Sequence, residues 1–212
     1  MEINVVPIDD QPISATFFGE GKWLSDFITP DQPDIKVLWG RLTDRLSSVE
    51  DKVIAAWDWV ANEVKYKPFI KANISVEGKM SYQNDYWQSP SLCSRTKVGN
   101  CANKAFLLTS LLRNTLGTND VHAVLGNLYN GHAAGHAWVE ATINGKTYIV
   151  EPTRNDVPLI EPSSVDRYEP VHYFNDSVIY AVPGRTVMTP FQSCFSDWLG
   201  DYLQWSYING SH

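Results

Sequence analysis

The sequence is short of basic residues and of long apolar runs. It has 17 lysines and arginines against 24 aspartates and glutamates, a formal net charge of −7, so nucleic acid and anionic membranes are poor partners. No run of about 18 apolar residues occurs, which argues against a membrane-spanning helix. The opening MEINVVPIDDQP has no basic stretch followed by an apolar one. We therefore expect no secretory signal and a cytoplasmic or otherwise intracellular protein.

Cysteine is also scarce, with only Cys93, Cys101 and Cys194 in 212 residues. An odd number, in a chain long enough to bury a sizeable core, indicates free thiols in a reducing compartment rather than a disulfide framework. The 43% hydrophobic and 12% aromatic content excludes a disordered chain. The glycine fingerprints that cradle phosphate groups are missing too.

Apolar residues recur at helical spacing in three parts of the sequence, and this spacing is the first signal of structure. It predicts helices over residues 36–46, 49–64 and 100–117. Ser47 and Glu50 match a capping box in front of the second helix. Asn100 is a good N-cap for the third helix, which is apolar nearly all round. That composition indicates a helix at the centre of the fold.

Alternating strand patterns follow the third helix. They cover residues 121–130 and 136–142 and continue past Asn144-Gly145, a strong signal for a tight hairpin turn. Residues 65–98 are typical of a loop, residues 178–182 resemble a strand, and residues 191–205 are predicted to form a terminal helix. The order predicts an α+β fold in which a buried helix packs on an antiparallel sheet.

Cys101 lies at the start of the buried helix. The N-terminus of a helix carries a partial positive charge and free N–H groups, which favour a thiolate and can serve an oxyanion hole. A lone intracellular cysteine is more often a small buried hydrophobe, and Cys93 and Cys194 are interpreted in that way. Cys101 is the candidate nucleophile if a base lies beside it.

His136 is the candidate base. If Asn144 and Gly145 are the turn residues, Trp138 faces Glu151 across the hairpin, and His136 is the diagonal neighbour of Glu151 on the same face. An imidazole and a glutamate can bridge that diagonal. The hairpin therefore predicts a His–carboxylate pair that could activate a thiol brought against the sheet.

These segments resemble the transglutaminase-like superfamily over about residues 50–155. The matching motifs are Gly99-Asn100-Cys101, His136-Ala137-Trp138 and Glu151-Pro152-Thr153, and the upstream WDWVANEVKY and YWQSP also look like that family. The resemblance implies a papain-like core. We accordingly expect an N-terminal extension over 1–46, a catalytic core over 47–156, and a C-terminal extension over 157–212 packed on the same domain.

The sequence departs from the family at Glu151, where the family has aspartate. Either acid can accept from an imidazole N–H, but glutamate is one methylene longer, and Asp156 and Asn155 are nearby alternatives. The resemblance also implies an oxyanion donor upstream of the cysteine, in addition to the Cys101 backbone N–H. The candidates are Gln88, favoured for its amide, and Trp87, Tyr82 and Gln83; core packing is the more ordinary role for Trp87.

The resemblance implies a cysteine enzyme that attacks an amide or peptide carbonyl through a Cys101–His136–Glu151 triad and a thioester. A peptidase or amidase acting on a protein or peptide is favoured, because water is always present as acceptor. An amine-accepting acyltransferase or cross-linker stays open, as does a non-catalytic binding or structural module. We expect no cofactor, and His132 and His136, flanked by Gly131 and Gly135, predict a loop entering a strand rather than a metal site.

Overall fold

The computed structural model describes residues 5–7, 18–19, 23–68, 70, 72–76, 79–83, 86–130, 132–165 and 167–187. The predicted terminal helix over 191–205 and Cys194 lie outside the described residues. Within the described ranges, no helix has both the length and the apolar character needed to cross a bilayer.

The described residues form four α-helices. These are α1 (Pro33–Thr43), α2 (Val49–Glu63), α3 (Pro90–Thr96) and α4 (Cys101–Leu112), with 3-10 turns at Ser25–Phe27 and Pro162–Ser164. The second predicted helix is confirmed, but its capping box is wrong by one residue. The hydroxyl of Ser48, not that of Ser47, accepts from the Asp51 N–H at 3.0 Å. Both serines precede an acid by three residues, so the local pattern alone does not separate them.

The strands are β1 (Val6–Pro7), β2 (Phe18–Gly19), β3 (Lys65–Tyr66), β4 (Ala72–Val76), β5 (Lys79–Gln83), β6 (Tyr86–Trp87), β7 (Val98–Gly99), β8 (Val121–Asn130), β9 (His132–Ile143), β10 (Lys146–Val150), β11 (Tyr168–Phe174) and β12 (Ile179–Ala181). Six of them form an antiparallel sheet in the order β1-β12-β11-β8-β9-β10. The predicted α+β class is confirmed. The loop expected over residues 65–98 is wrong in part, because it contains the β4–β5 pair and α3.

Helix α4 is the centre of the core. Its predicted N-cap is confirmed, since the Asn100 side chain accepts from the Asn103 N–H at 3.0 Å. The helix ends at Leu112, short of the predicted Gly117, and every residue from Ala102 to Leu112 is buried. Its alanines and leucines pack in one cluster with Val121, Ala123, Ala137 and Val139 of the sheet. Burying each large apolar side chain is worth about 2 kcal/mol, so packing fixes the helix that carries Cys101.

A buried lysine joins α4 to α2. Lys104 is 1% exposed, and its ammonium donates to the carbonyls of Ala61 at 3.1 Å and Val64 at 2.9 Å. These carbonyls lie at the C-terminal end of α2, where the helix has unsatisfied acceptors and a partial negative charge. Burial lowers the pKa of Lys104 to about 8. The lysine therefore acts as a cap for α2 supplied by α4.

The β9–β10 hairpin has the predicted register. Asn144 and Gly145 take positive φ angles of 52° and 79°, as a tight hairpin turn requires. Lys146 pairs with Ile143, and the ladder continues to Val150 opposite Val139. Glu151 follows directly, on the face that carries His136 and Trp138. The local turn signal was therefore sufficient to place a carboxylate beside the histidine.

A glycine in β8 allows β11 and the Trp138 ring to pack closely against that strand. Gly126 of β8 pairs with His136. A Cβ atom at Gly126 would lie 2.2 Å from the Glu169 carbonyl oxygen and 2.5 Å from the Trp138 ring. Only glycine allows the Trp138 indole to lie against β8 at this point.

Candidate active site

Cys101 is the first residue of α4, and it is partly exposed. The chain enters the helix through β7, which pairs in parallel with β3. Gly99 lets this entry pack closely, because a Cβ there would meet the Cys93 sulfur at 3.1 Å and the Asn103 Cβ at 3.0 Å. The first N–H groups of a helix have no partner within the helix. The thiol therefore stands where a developing negative charge is stabilised.

His136 joins the thiol to the carboxylate. Its Nε2 lies 2.8 Å from Glu151 Oε2, and the Cys101 side chain is near enough to help raise the pKa of the imidazole. The ring stacks on Trp138, with centroids 6.1 Å apart at 20°. Only 11% of the imidazole is exposed, so the histidine is held on three sides.

Glu151 is almost wholly buried and is surrounded by donors. Its Oε1 accepts from the Thr153 backbone N–H at 3.0 Å and from the Thr153 hydroxyl at 2.7 Å. Its Oε2 accepts from His136 and from the Tyr168 hydroxyl at 3.1 Å. A buried carboxylate is tolerated only when hydrogen bonds and charge replace its hydration. The four bonds meet that condition for the ionised form.

The two groups form an ion pair. Burial is the largest single effect and disfavours the charge on His136, but the Glu151 carboxylate together with hydrogen bonding to Cys101 and Glu151 outweighs burial and raises the pKa of His136 above its ordinary value. Burial likewise works against the Glu151 charge, yet His136 and the Thr153 bonds lower the pKa of Glu151. The arrangement therefore favours imidazolium beside carboxylate.

Asp156 and Asn155, the alternatives to Glu151, serve other partners. Asp156 accepts from the Arg154 guanidinium at 2.9 Å, and the Asn155 amide donates to Asn62 at 3.1 Å. The carboxylate that contacts His136 is that of Glu151.

The upstream oxyanion candidates fall in different places. Gln88 is buried, with Nε2 donating to the Val98 carbonyl at 2.9 Å and Oε1 accepting from Thr96 at 3.0 Å. Its amide thus lies against β7, the strand that leads into Cys101. Trp87 packs in the core, with its ring centroid 5.6 Å from that of Phe27 and 5.2 Å from that of Phe106.

Tyr82 and Gln83 end strand β5, which pairs with β4. Their backbone is described, and their side chains lie outside the described residues. Gln88 is therefore the upstream candidate whose side chain is bonded to the strand that leads into Cys101.

Of the other two cysteines, Cys93 lies within the described residues, and it differs from Cys101 in burial. Cys93 is 0% exposed and lies behind Gly99, and burial raises its pKa to about 12. A thiol kept protonated and out of solvent is a poor nucleophile.

Among the histidines whose side chains are described, His122 lies away from this site. His122 is largely buried between Tyr173 and Tyr180, with ring centroids 6.2 and 5.8 Å away, and burial lowers its pKa to about 4. The backbone of His132 begins β9. Across the described ranges, no three histidine, cysteine or acidic side chains are grouped to hold a metal ion.

Two residues that contact Glu151 were not found from the sequence. Trp57 of α2 donates its indole N–H to the Glu151 carbonyl at 2.9 Å, although its spacing predicted core packing alone. Tyr168 of β11 lies in the region taken as an extension. Neither carries a local signal, because each meets Glu151 only through tertiary structure.

The fold thus brings Cys101, His136 and Glu151 to one site. The sequence model of the Transglutaminase-like superfamily matches residues 38–152, more than half of the chain. The chain belongs to the transglutaminase-like superfamily. The matched region contains Cys101, His136 and Glu151, and it ends before Tyr168.

Comparison with solved structures shows which proteins share this fold. No curated protein matches the chain. EGTA-treated LapG of Legionella pneumophila superposes with a TM-score of 0.51 at 16% identity, covering 72% of this chain and 80% of that chain. Its calcium-bound form gives 0.51 at 14% identity, covering 80% and 90%. A candidate cysteine protease from Cytophaga hutchinsonii gives 0.44 at 20% identity, covering 77% and 55%. The likeness to LapG shows a shared fold.

Proposed function

We propose that the protein is a cysteine peptidase or amidase in which Cys101, His136 and Glu151 act together on an amide carbonyl. The observation that carries the proposal is the position of the His136 ring, whose Nε2 lies 2.8 Å from Glu151 and whose pKa is raised by both Glu151 and the nearby Cys101 side chain. A base oriented by a carboxylate and placed against a nucleophile is the arrangement that acyl transfer requires.

In the acylation step, the Cys101 sulfur attacks the carbonyl carbon while its proton resides on His136. The carbonyl oxygen takes the electron pair and becomes an oxyanion. When the C–N bond breaks, His136 gives its proton to the departing amine and a thioester remains on Cys101. Glu151 stays ionised throughout and stabilises the imidazolium.

The oxyanion requires donors near the start of α4. The backbone N–H of Cys101 is one of the N–H groups that helix geometry leaves without an internal partner. The Gln88 amide is the proposed second donor, because its nitrogen carries two N–H bonds and Val98 takes one of them. Removing a donor of this kind costs about 100-fold or more in kcat.

In the deacylation step, water attacks the thioester carbon and gives a proton to His136, which returns it to the sulfur. The products are a carboxylic acid and the free thiol. An amine could take the place of water and would give a new amide. Hydrolysis is the proposed outcome, because water reaches any site from which the amine product can leave.

Selective labelling of Cys101 tests the proposal. At about pH 6, where ordinary thiols are protonated, iodoacetamide should alkylate Cys101 far faster than Cys93 or Cys194, as read by peptide mapping with mass spectrometry. His136→Ala should remove the difference. His122→Ala is the matched control and should preserve it, because His122 lies among Tyr173 and Tyr180. Equal, slow labelling of all three thiols would contradict the proposal and favour a non-catalytic module.

Product analysis distinguishes the two acceptors. A library of peptide amides is incubated with the protein, with and without a primary amine, and the masses of the products are measured. A free acid that persists in the presence of the amine supports hydrolysis. A new amide as the main product would identify an acyltransferase instead, and Cys101→Ala should abolish either product.

A further inference from the structure

The segment beyond the family-matched region contributes a hydroxyl group to the site. Tyr168 is the first residue of strand β11. This strand pairs with β8, and β8 and β9 separate it from β10 in the sheet. Its hydroxyl lies 3.1 Å from Glu151 Oε2, the oxygen that lies 2.8 Å from His136 Nε2. Two donors from two strands therefore meet on a single carboxylate oxygen.

The tyrosine ring is fixed by the same aromatic neighbours as the histidine. It packs edge-on against Trp138, with centroids 5.2 Å apart at 66°, and it lies 6.3 Å from the His136 ring. Trp138 is fully buried and stacks on His136. Packing against these rings therefore fixes the Tyr168 side chain and the position of its hydroxyl.

The division of bonds over the carboxylate gives the hydroxyl a defined task. Thr153 supplies both donors to Oε1, while Oε2 depends on His136 and Tyr168. His136 keeps its Nε2–H bond to Oε2 in both protonation states of the ring, and Tyr168 adds a second donor from another strand that fixes the position of Oε2. Burial and the Glu151 charge raise the pKa of Tyr168, so its hydroxyl stays protonated wherever the site works.

Glutamate makes this fixing more important than aspartate would. The longer side chain has one more rotatable bond, and each immobilised side-chain rotor costs conformational entropy. Donors on both oxygens select the one rotamer in which Oε2 faces His136. Tyr168 is the member of this set that comes from a separate part of the chain.

We propose that Tyr168 is a positioning residue: its hydroxyl holds Glu151 Oε2 against His136 and keeps the carboxylate ionised, so that β11 completes the site. This role rests on the proposed function of Cys101, His136 and Glu151. It acts through Glu151 and involves no contact with substrate.

The charged and titratable groups around Glu151 come from several elements. They are His136 of β9, Cys101 and Lys104 of α4, Tyr168 of β11, Arg167 beside it, and Arg154 in the loop after β10. Removal of the Tyr168 hydroxyl takes away a hydrogen bond that stabilises the charged form of Glu151. The carboxylate then accepts a proton at higher pH, and the imidazolium loses its counter-ion there.

The test compares Tyr168→Phe with Tyr173→Phe. Tyr173 is a matched control, since it lies on the same strand and its side chain interacts with Glu140 rather than with Glu151. The rate of Cys101 alkylation by iodoacetamide is measured against pH by peptide mapping, and thermal unfolding confirms that both variants fold. In Tyr168→Phe the acid limb of the profile should move to higher pH, with a rate about tenfold lower on that limb, as expected for one bond to a charged group. Tyr173→Phe should leave the limb in place.

A double-mutant cycle separates positioning from a general loss of packing. In a Glu151→Gln background there is no carboxylate to hold, so Tyr168→Phe should have no further effect on the labelling rate. An unshifted Tyr168→Phe profile, an equal shift in Tyr173→Phe, or an undiminished effect in the Glu151→Gln background would each overturn the role of Tyr168. A wild-type Cys101 that labels no faster than Cys93 would overturn the proposed function itself, and the role of Tyr168 with it.

Discussion

The indole N–H of Trp57 donates to the backbone carbonyl of Glu151 at 2.9 Å, across 94 residues of sequence. This bond ties α2 to the end of β10, at the residue whose side chain contacts His136. Glu151 is therefore held at its backbone by a helix and at its side chain by Thr153 and two strands.

Substitution of Trp57 tests this tie. Trp57→Phe keeps most of the apolar surface but leaves the buried carbonyl without its indole donor, which should cost about 1–3 kcal/mol of unfolding free energy. Trp59→Phe is the matched control. Trp59 is only partly buried and its ring lies under Lys97, an interaction worth about 0.5–1 kcal/mol. Urea unfolding measures both variants, and an equal loss in the two would contradict a special role for the Trp57 bond.

The length of the acid should matter. Glu151→Gln replaces the carboxylate by a neutral amide of the same shape and removes the counter-ion of His136, so kcat/KM should fall on the order of a thousandfold. Glu151→Asp keeps the charge but withdraws it by one methylene from His136 and Tyr168. We expect an intermediate rate for Glu151→Asp, measured as kcat/KM or as Cys101 labelling. A faster Glu151→Asp variant would show that the donors around Glu151 are not set for glutamate.

The His136–Glu151 pair predicts how stability depends on pH. Burial opposes both charges, but their mutual attraction raises the pKa of His136 above its ordinary value of 6.5 and lowers that of Glu151 below 4.5. The histidine contribution is complete below pH 6.5 and is lost as pH rises toward its folded-state pKa. The glutamate contribution is complete above pH 4.5 and is lost as pH falls toward its folded-state pKa.

We expect the difference in unfolding free energy between the wild type and His136→Gln to be largest from pH 4.5 to pH 6.5. It should shrink on both sides of that window. Urea titrations across a pH series give the difference directly. A difference that does not vary with pH would show that the two groups are uncharged partners.

Closure of the sheet over the site depends on Gly126. In Gly126→Ala the new methyl group would lie 2.2 Å from the Glu169 carbonyl oxygen and 2.5 Å from the Trp138 ring, so we expect destabilisation of about 1–3 kcal/mol. Gly40→Ala in α1 is the control, because its nearest atom is 3.3 Å away on the flexible Asp44 side chain. An alanine within a helix is favoured over glycine by about 1 kcal/mol. Thermal unfolding should therefore move in opposite directions for the two variants.

The parts of the molecule that the sequence predicted are those determined by neighbouring residues. Asn144 and Gly145 specify a turn, the turn sets the register, and the register places Glu151 beside His136. Asn100 begins α4 by bonding a residue three positions on. Such signals can be read within a few residues.

What the sequence did not predict depends on distant contacts. Nothing near Tyr168 indicates that β11 lies beside β8 rather than at the opposite edge next to β10. Lys104 lies in an apolar helix, and its partners are the carbonyls at the end of another helix. Trp57 has the spacing of a core residue and is one, but its donor bond requires the end of β10 to be in place.

The origin of the site residues has a consequence for synthesis. Trp57, Cys101, His136, Glu151 and Tyr168 come, in chain order, from α2, α4, β9, the end of β10 and β11, and the last of these enters only when β11 has paired with β8. A chain still emerging from the ribosome holds the cysteine and its helix well before that strand is available. In the proposed mechanism the thiol is therefore made before the residues that would activate and position it, so the order of translation would delay the onset of its reactivity.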